Sequence, residues 1–107
     1  MRPVVLTTSG VSVSAVCPLD LHTAPGNTAL GVVITAPATY TVQYTYDDVY
    51  SPTFNPGAAT WFPHATLVAL SANGDGNFAF TPRGVRLNQT AGAGSAILTV
   101  MQSGLGM

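Results

Sequence analysis

Thr39-Tyr40-Thr41-Val42-Gln43-Tyr44-Thr45-Tyr46 is the stretch whose reading decides the fold class. Successive side chains of a β-strand point to opposite faces. A strand here puts Tyr40, Val42, Tyr44 and Tyr46 on one face and Thr41, Gln43 and Thr45 on the other. Aromatic and β-branched residues suit a pleated, half-buried surface, and the spacing has no helical period.

The pattern continues in both directions. Further strands are predicted at Val4–Thr8, Val11–Val16, Ala29–Thr35, Ala65–Leu70, Asn77–Phe80, Val85–Thr90 and Ser95–Gln102. Turn residues separate them: Ser9-Gly10, Pro25-Gly26-Asn27, the run Asn73-Gly74-Asp75-Gly76-Asn77, and Ala91-Gly92-Ala93-Gly94. Ala29–Thr35 is almost continuously apolar and reads as a strand buried on both faces or lying deep in the core. In the last strand Ile97, Thr99 and Met101 oppose Leu98, Val100 and Gln102. Short strands at close intervals predict an all-β chain, a single-domain β-sandwich or jelly roll of seven to nine short antiparallel strands. That domain spans residues 1–107, with short mobile arms expected at 1–3 and 103–107. Between Asp47 and Pro63 lies a long loop holding Pro52, Pro56, Gly57 and Pro63, with Trp61 and Phe62 expected to pin it to the core.

The charge content is low. The chain has no Lys and no Glu, and its charged residues are Arg2, Arg83, Arg86, Asp20, Asp47, Asp48 and Asp75. They amount to 7% of the chain, against about 25% in a typical soluble domain. Net charge is −1, hydrophobic residues make up 47%, and mean hydropathy is positive. Edge strands ordinarily carry charge, Lys above all, as a guard against pairing with other chains. Its absence implies a surface covered by neighbours in an assembly.

Composition also excludes function classes. Without basic runs there is no phosphate-tracking surface for nucleic acid. No apolar stretch approaches the roughly 20 residues that span a bilayer. The N-terminal stretch alternates at period two between residues 11 and 14, which describes a strand rather than a signal core. Synthesis in a cytoplasm is expected, and the lone Cys17, which can form no internal disulfide, agrees with it.

The remaining constellations carry no clear chemistry. Adjacent Asp47 and Asp48 point to opposite faces of a strand and suit turn capping better than acid–base work. The Asn73–Asn77 run spaces oxygen side chains as calcium loops do, but lacks the closing Glu. His22 and His64 have no nearby His, Cys or Glu and are read as surface or loop histidines, so no metal and no cofactor are expected. Ser, His and Asp are all present, without a Gly-x-Ser-x-Gly elbow, so the chain is not read as an enzyme. Asn88-Gln89-Thr90 matches a glycosylation sequon, which carries no weight without secretion. The Tyr row and Trp61 could form a sugar-stacking platform, making a carbohydrate-binding module the competing reading. Arg83 and Arg86 pair either with an Asp of this chain or with a neighbouring subunit.

The segments YTVQYTYDDVYSPTFNPGAATWFPHATL and NGDGNFAFTPRGVRLNQTAGAGSAILTVMQSG resemble small structural proteins of tailed bacteriophages. The likeness runs from about Thr39 to Gly104 and is carried by three features. These are the Thr60-Trp61-Phe62-Pro63-His64 cluster, the Gly-Asp-Gly-Asn run before an aromatic strand, and Val85-Arg86-Leu87-Asn88 leading to the last strand. It implies a non-catalytic virion protein on the capsid surface, a cement or decoration protein that stabilises joints between major capsid subunits. A neck, tail or fibre component is the alternative within virions. The expected partners are the major capsid protein and copies of this chain, as homodimer or homotrimer. Interface candidates are Trp61, Phe62, Tyr40, Tyr44, Tyr46, Arg83 and Arg86.

Overall fold

A computed structural model describes residues 4–19, 28–49, 51–78 and 82–102. They form nine strands: β1 (Val4–Ser9), β2 (Ser12–Val13), β3 (Cys17–Pro18), β4 (Thr28–Thr35), β5 (Thr39–Thr45), β6 (Phe62–Pro63), β7 (Gly74–Phe78), β8 (Gly84–Ala91) and β9 (Ser95–Gln102). No helix occurs among the described residues. Sheet A has the order β1-β9-β4-β7, and sheet B the order β2-β8-β5-β6 with β3 also on β8. Every pairing is antiparallel.

The pairs nest: β1 with β9, β2 and β3 with β8, β4 with β7, β5 with β6. A long hairpin rolled up on itself yields this order, that of a jelly roll. The expected β-sandwich is therefore what the chain forms. The expected arms at 1–3 and 103–107 and the turn at Pro25-Gly26-Asn27 lie outside the described residues.

The core fills with the inward alternates of both sheets. Sheet A supplies Leu6, Leu30, Val32, Ala96, Leu98 and Val100, and sheet B supplies Tyr40, Val42, Val85 and Leu87. Phe78, Leu67, Leu19 and Cys17 complete the cluster.

Three connections cross between the sheets at one end, at Gly10, at Ala36–Ala38 and at Gly92–Gly94. Gly10 N–H donates to Gly94 O at 2.9 Å, and Gly94 N–H donates to Pro37 O at 2.9 Å. Gly92 has φ +94°, and a Cβ at Gly94 would stand 2.3 Å from Thr35 O, so the crossovers touch backbone to backbone. Gln89, fully buried, ties this end together. Its Nε2 donates to Gly94 O at 2.9 Å and Gly92 O at 3.1 Å, while Oε1 accepts from Thr8 Oγ1 at 2.8 Å.

Four expectations need correction. Asn73–Asn77 is not a turn: Gly74–Phe78 is strand β7, paired with β4 from Thr28↔Phe78 to Val32↔Gly74. Its glycines serve close approach, since a Cβ at Gly74 would lie 2.9 Å from Tyr40 Oη and one at Gly76 3.1 Å from His64 Cε1. Gly74→Ala is accordingly expected to overpack this contact and cost about 1–2 kcal/mol, read by urea denaturation. Ala65–Leu70 is not a strand, because Thr41 Oγ1 accepts Ala69 N–H and Ala69 adopts φ +52°, leaving only a bridge from Tyr40 to Leu70. Val11–Val16 is broken in two: from Val13↔Asn88 to Cys17↔Val85 the chain gains one residue over β8, a bulge in which Ser14 Oγ accepts Leu87 N–H. Finally, β4 is buried on one face only, with Leu30 and Val32 inside and Ala29 and Val33 outside.

Candidate interaction surfaces

The two outer faces of the sandwich differ. On sheet B the chain covers much of itself. Thr45 is fully buried, and Val49 and Val16 lie where a Cβ on Gly84 would go. Arg86 sits over the Trp61 ring, Cζ 4.0 Å from its centroid, and its Nε donates to Gln43 Oε1 at 2.8 Å. Trp61 Nε1 donates to Pro56 O at 2.9 Å, closing the loop on itself. Trp61 thus pins the long loop to the outer face of sheet B through a cation–π contact, rather than to the core as expected. Burial lowers the pKa of Arg86 from its usual value.

On sheet A no such cover exists among the described residues. The outward alternates are Val5 and Thr7 on β1, Ile97, Thr99 and Met101 on β9, Ala29, Gly31 and Val33 on β4, and Asp75 and Asn77 on β7. Val5 is 58% exposed, Val33 54%, Met101 51% and Ile97 36%, and Asp75 is the face's sole charge among the described residues. Ile97 stands between Thr7 and Val33 in register, so Ile97 and Val33 adjoin, while Met101 adjoins Ala29 and Val5 lies opposite Thr99. At Gly31 the face dips into an open hollow of about 380 Å³ beside Val33, Asn73, Asp75 and Thr99.

The interface candidates from sequence distribute unequally. Tyr40 is fully buried and its hydroxyl donates to Ala72 O at 2.8 Å, so it belongs to the core and not to the surface. Burial pushes its phenol pKa up. Tyr44 is half-buried, 5.1 Å from the Phe78 ring and 5.7 Å from Phe62. Tyr46 and Phe62 are exposed, their centroids 5.8 Å apart. Arg83 pairs with Asp48 of its own chain at 3.7 Å, both groups being substantially exposed. Such a pair contributes little to stability. None of the exposed residues on sheet A was among the candidates. For β4 the signal lay in its nearly continuous apolar run, which read as two-face burial, and for β9 in the alternation that sets Ile97, Thr99 and Met101 on one face.

Several side chains weighed for catalysis or metal binding make structural contacts. Asp47 Oδ2 accepts Thr60 N–H at 2.9 Å and Asp47 N–H donates to Thr45 Oγ1, a loop cap as expected. His64 is buried, not a surface histidine. Its Nδ1 accepts N–H of Thr66 and Leu67, both at 3.1 Å, which makes Nε2 the donor to Asn77 O at 2.9 Å. His22 lies outside the described residues. Cys17 is buried, and burial pushes its thiol pKa up, away from the reactive thiolate. Among the described residues no three of His, Cys, Asp and Glu gather into a metal-holding group.

Comparison with known families, characterised proteins and solved structures found no match. The chemistry of the surfaces themselves therefore carries the functional reading.

Proposed function

We propose that this chain is a non-catalytic assembly protein, and specifically a virion protein that cements or decorates a phage capsid. Its partners would be major capsid subunits and further copies of itself. The outer face of sheet A carries this reading. A sheet face bearing Val5, Val33, Ile97 and Met101, with Asp75 as its one charge among the described residues, is out of place against water, and its strands have the composition of strands covered on both sides. Among the described residues the second cover is missing, and it would come from a neighbour. A cement protein needs a rigid body and a complementary surface, with no reaction to perform. The resemblance of residues 39–104 to tailed-phage structural proteins supplies the capsid context. The sugar-binding alternative is weakened by geometry. Tyr40 is core and Trp61 is spent on Arg86, leaving Tyr46 and Phe62 as the exposed rings among the described residues.

Cryo-electron microscopy of the particle from which the gene comes tests the assignment. Density at joints between capsid subunits supports it, density only in the tail moves it to the neck, tail or fibre alternative, and absence from the particle removes it. The surface is tested by Val33→Glu with Met101→Glu, which are not paired across β4 and β9. Both side chains point outward, so the melting temperature is expected to move by only a few degrees. Particle binding is expected to fall at least about tenfold, since two charges would be buried without partners. Unchanged binding would acquit this face.

A further inference from the structure

Each sheet edge among the described residues but one is guarded. The β5 edge is covered by residues 62–70, through β6, His64 N–H to Val42 O and the Tyr40–Leu70 bridge. The β7 edge has Asn77 O bonded to His64 Nε2 and Asp75 on its flank. Bulge and Pro18 interrupt the β2–β3 edge. Strand β1 has none of these devices. It pairs with β9 in regular register from Val4↔Val100 to Ser9↔Ser95, with no charge, Pro or Gly in its six residues.

The direction of its free backbone groups follows from alternation. Gly10 N–H bonds Gly94 O, which makes 10↔94 a hydrogen-bonded position, and so 8↔96, 6↔98 and 4↔100. The N–H and C=O groups of Val5, Thr7 and Ser9 therefore point away from β9. The same phase holds across the sheet, since Ile34 N–H, which is not bonded to β9, reaches Asn73 Oδ1 on the β7 side at 2.9 Å. Ser12 Oγ touches Ser9 O only at 3.4 Å, a contact an incoming strand would displace.

From these groups we infer that β1 pairs antiparallel with β1 of a second copy across a two-fold axis, with Thr7 facing Thr7 of the partner. In this register Val5 faces the partner's Ser9, all three residues with free groups are used, and about six backbone hydrogen bonds form. A two-fold pairing sets each residue against its symmetry mate, so any charge near the axis would meet itself. β1 has none, and Thr–Thr is a favourable cross-strand pair. The outcome is one eight-stranded sheet whose apolar outer faces merge. An edge of six residues buries less than the roughly 1,200–2,000 Å² of a standard stable interface, so the pairing is weak alone and gains from multivalency on a shell. This inference rests on the assembly reading and names the self-contact within it.

Sedimentation velocity from micromolar to about 1 mM tests it, against Thr7→Pro and Thr7→Lys. Proline at 7 deletes an N–H that faces outward and leaves the β9 ladder whole, and lysine sets two like charges at the axis. Wild-type mass is expected to rise from one chain of 11.0 kDa toward two. Both variants are expected to shift that rise at least about tenfold in concentration with far-ultraviolet circular dichroism unchanged. A wild-type chain that stays monomeric throughout overturns the inference, as does a dimer indifferent to Thr7→Lys. Particle binding is measured separately. Dimers that ignore the shell sink the capsid reading alone, and particle binding by a strictly monomeric wild-type chain sinks the pairing alone.

Discussion

Gln89→Ala is expected to destabilise this domain by about 3–4 kcal/mol, as much as truncating a large core side chain. The side chain is fully buried at the end where three connections cross between sheets. Removing it strands the Thr8 hydroxyl, takes the side-chain donor from the Gly92 carbonyl, leaves Gly94 O with Gly10 N–H alone, and opens a cavity where they meet. Each abandoned polar group costs about 1–3 kcal/mol when water cannot reach it. For a domain of this size the loss corresponds to a fall in melting temperature of more than about 10 °C. Gln89→Glu should be no better, because a carboxylate would face the Gly92 and Gly94 carbonyls with no N–H to offer. Thermal unfolding followed by circular dichroism decides it. A fall of only a few degrees for both variants would mean that the crossovers hold without the amide.

The second large effect is expected at His64. Alanine there deprives the N–H groups of Thr66 and Leu67 of their acceptor and Asn77 O of its donor, for a loss of about 2–3 kcal/mol. The damage should be local first. Hydrogen exchange at Thr66 and Leu67 is expected to accelerate well before the core amides of β8 and β9 change. His64→Asn keeps an acceptor near the position of Nδ1 and should recover the loop amides but not the Asn77 contact. Equal exchange rates in the alanine variant and the parent would show that this ring is not what holds the segment against β7.

Residue by residue, legibility followed how local the cause was. Thr39–Tyr46 and Ser95–Gln102 were readable because alternation is a property of neighbouring residues, and both strands lie within a residue of where it puts them. Gly10 and Gly92 were readable as turns, and both adopt positive φ. Gly74 and Gly76 were not. The same residue type serves a turn through its backbone freedom and a strand through its missing side chain, and what distinguishes them here is Tyr40 and His64, more than ten residues away in sequence. The candidate surface failed in the same manner. Tyr40, Tyr44 and Tyr46 form one row in sequence, yet they grade from buried to exposed as the strand leaves the sandwich. Meanwhile Val33 read as buried because nothing local separates an inner apolar residue from an outer one.

The amino-acid order alone determined that this chain is an all-β sandwich, poor in charge and apolar on more faces than one domain can bury. Side-chain period and composition are written residue by residue, without reference to distant partners. Only the tertiary structure decided which apolar face turns inward, which sheet is covered by its own loop, and that β1 ends its sheet with no further strand beside it among the described residues. Those outcomes depend on which strands meet across the nested pairing, and contacts between residues far apart in the chain leave no mark on the spacing of neighbours.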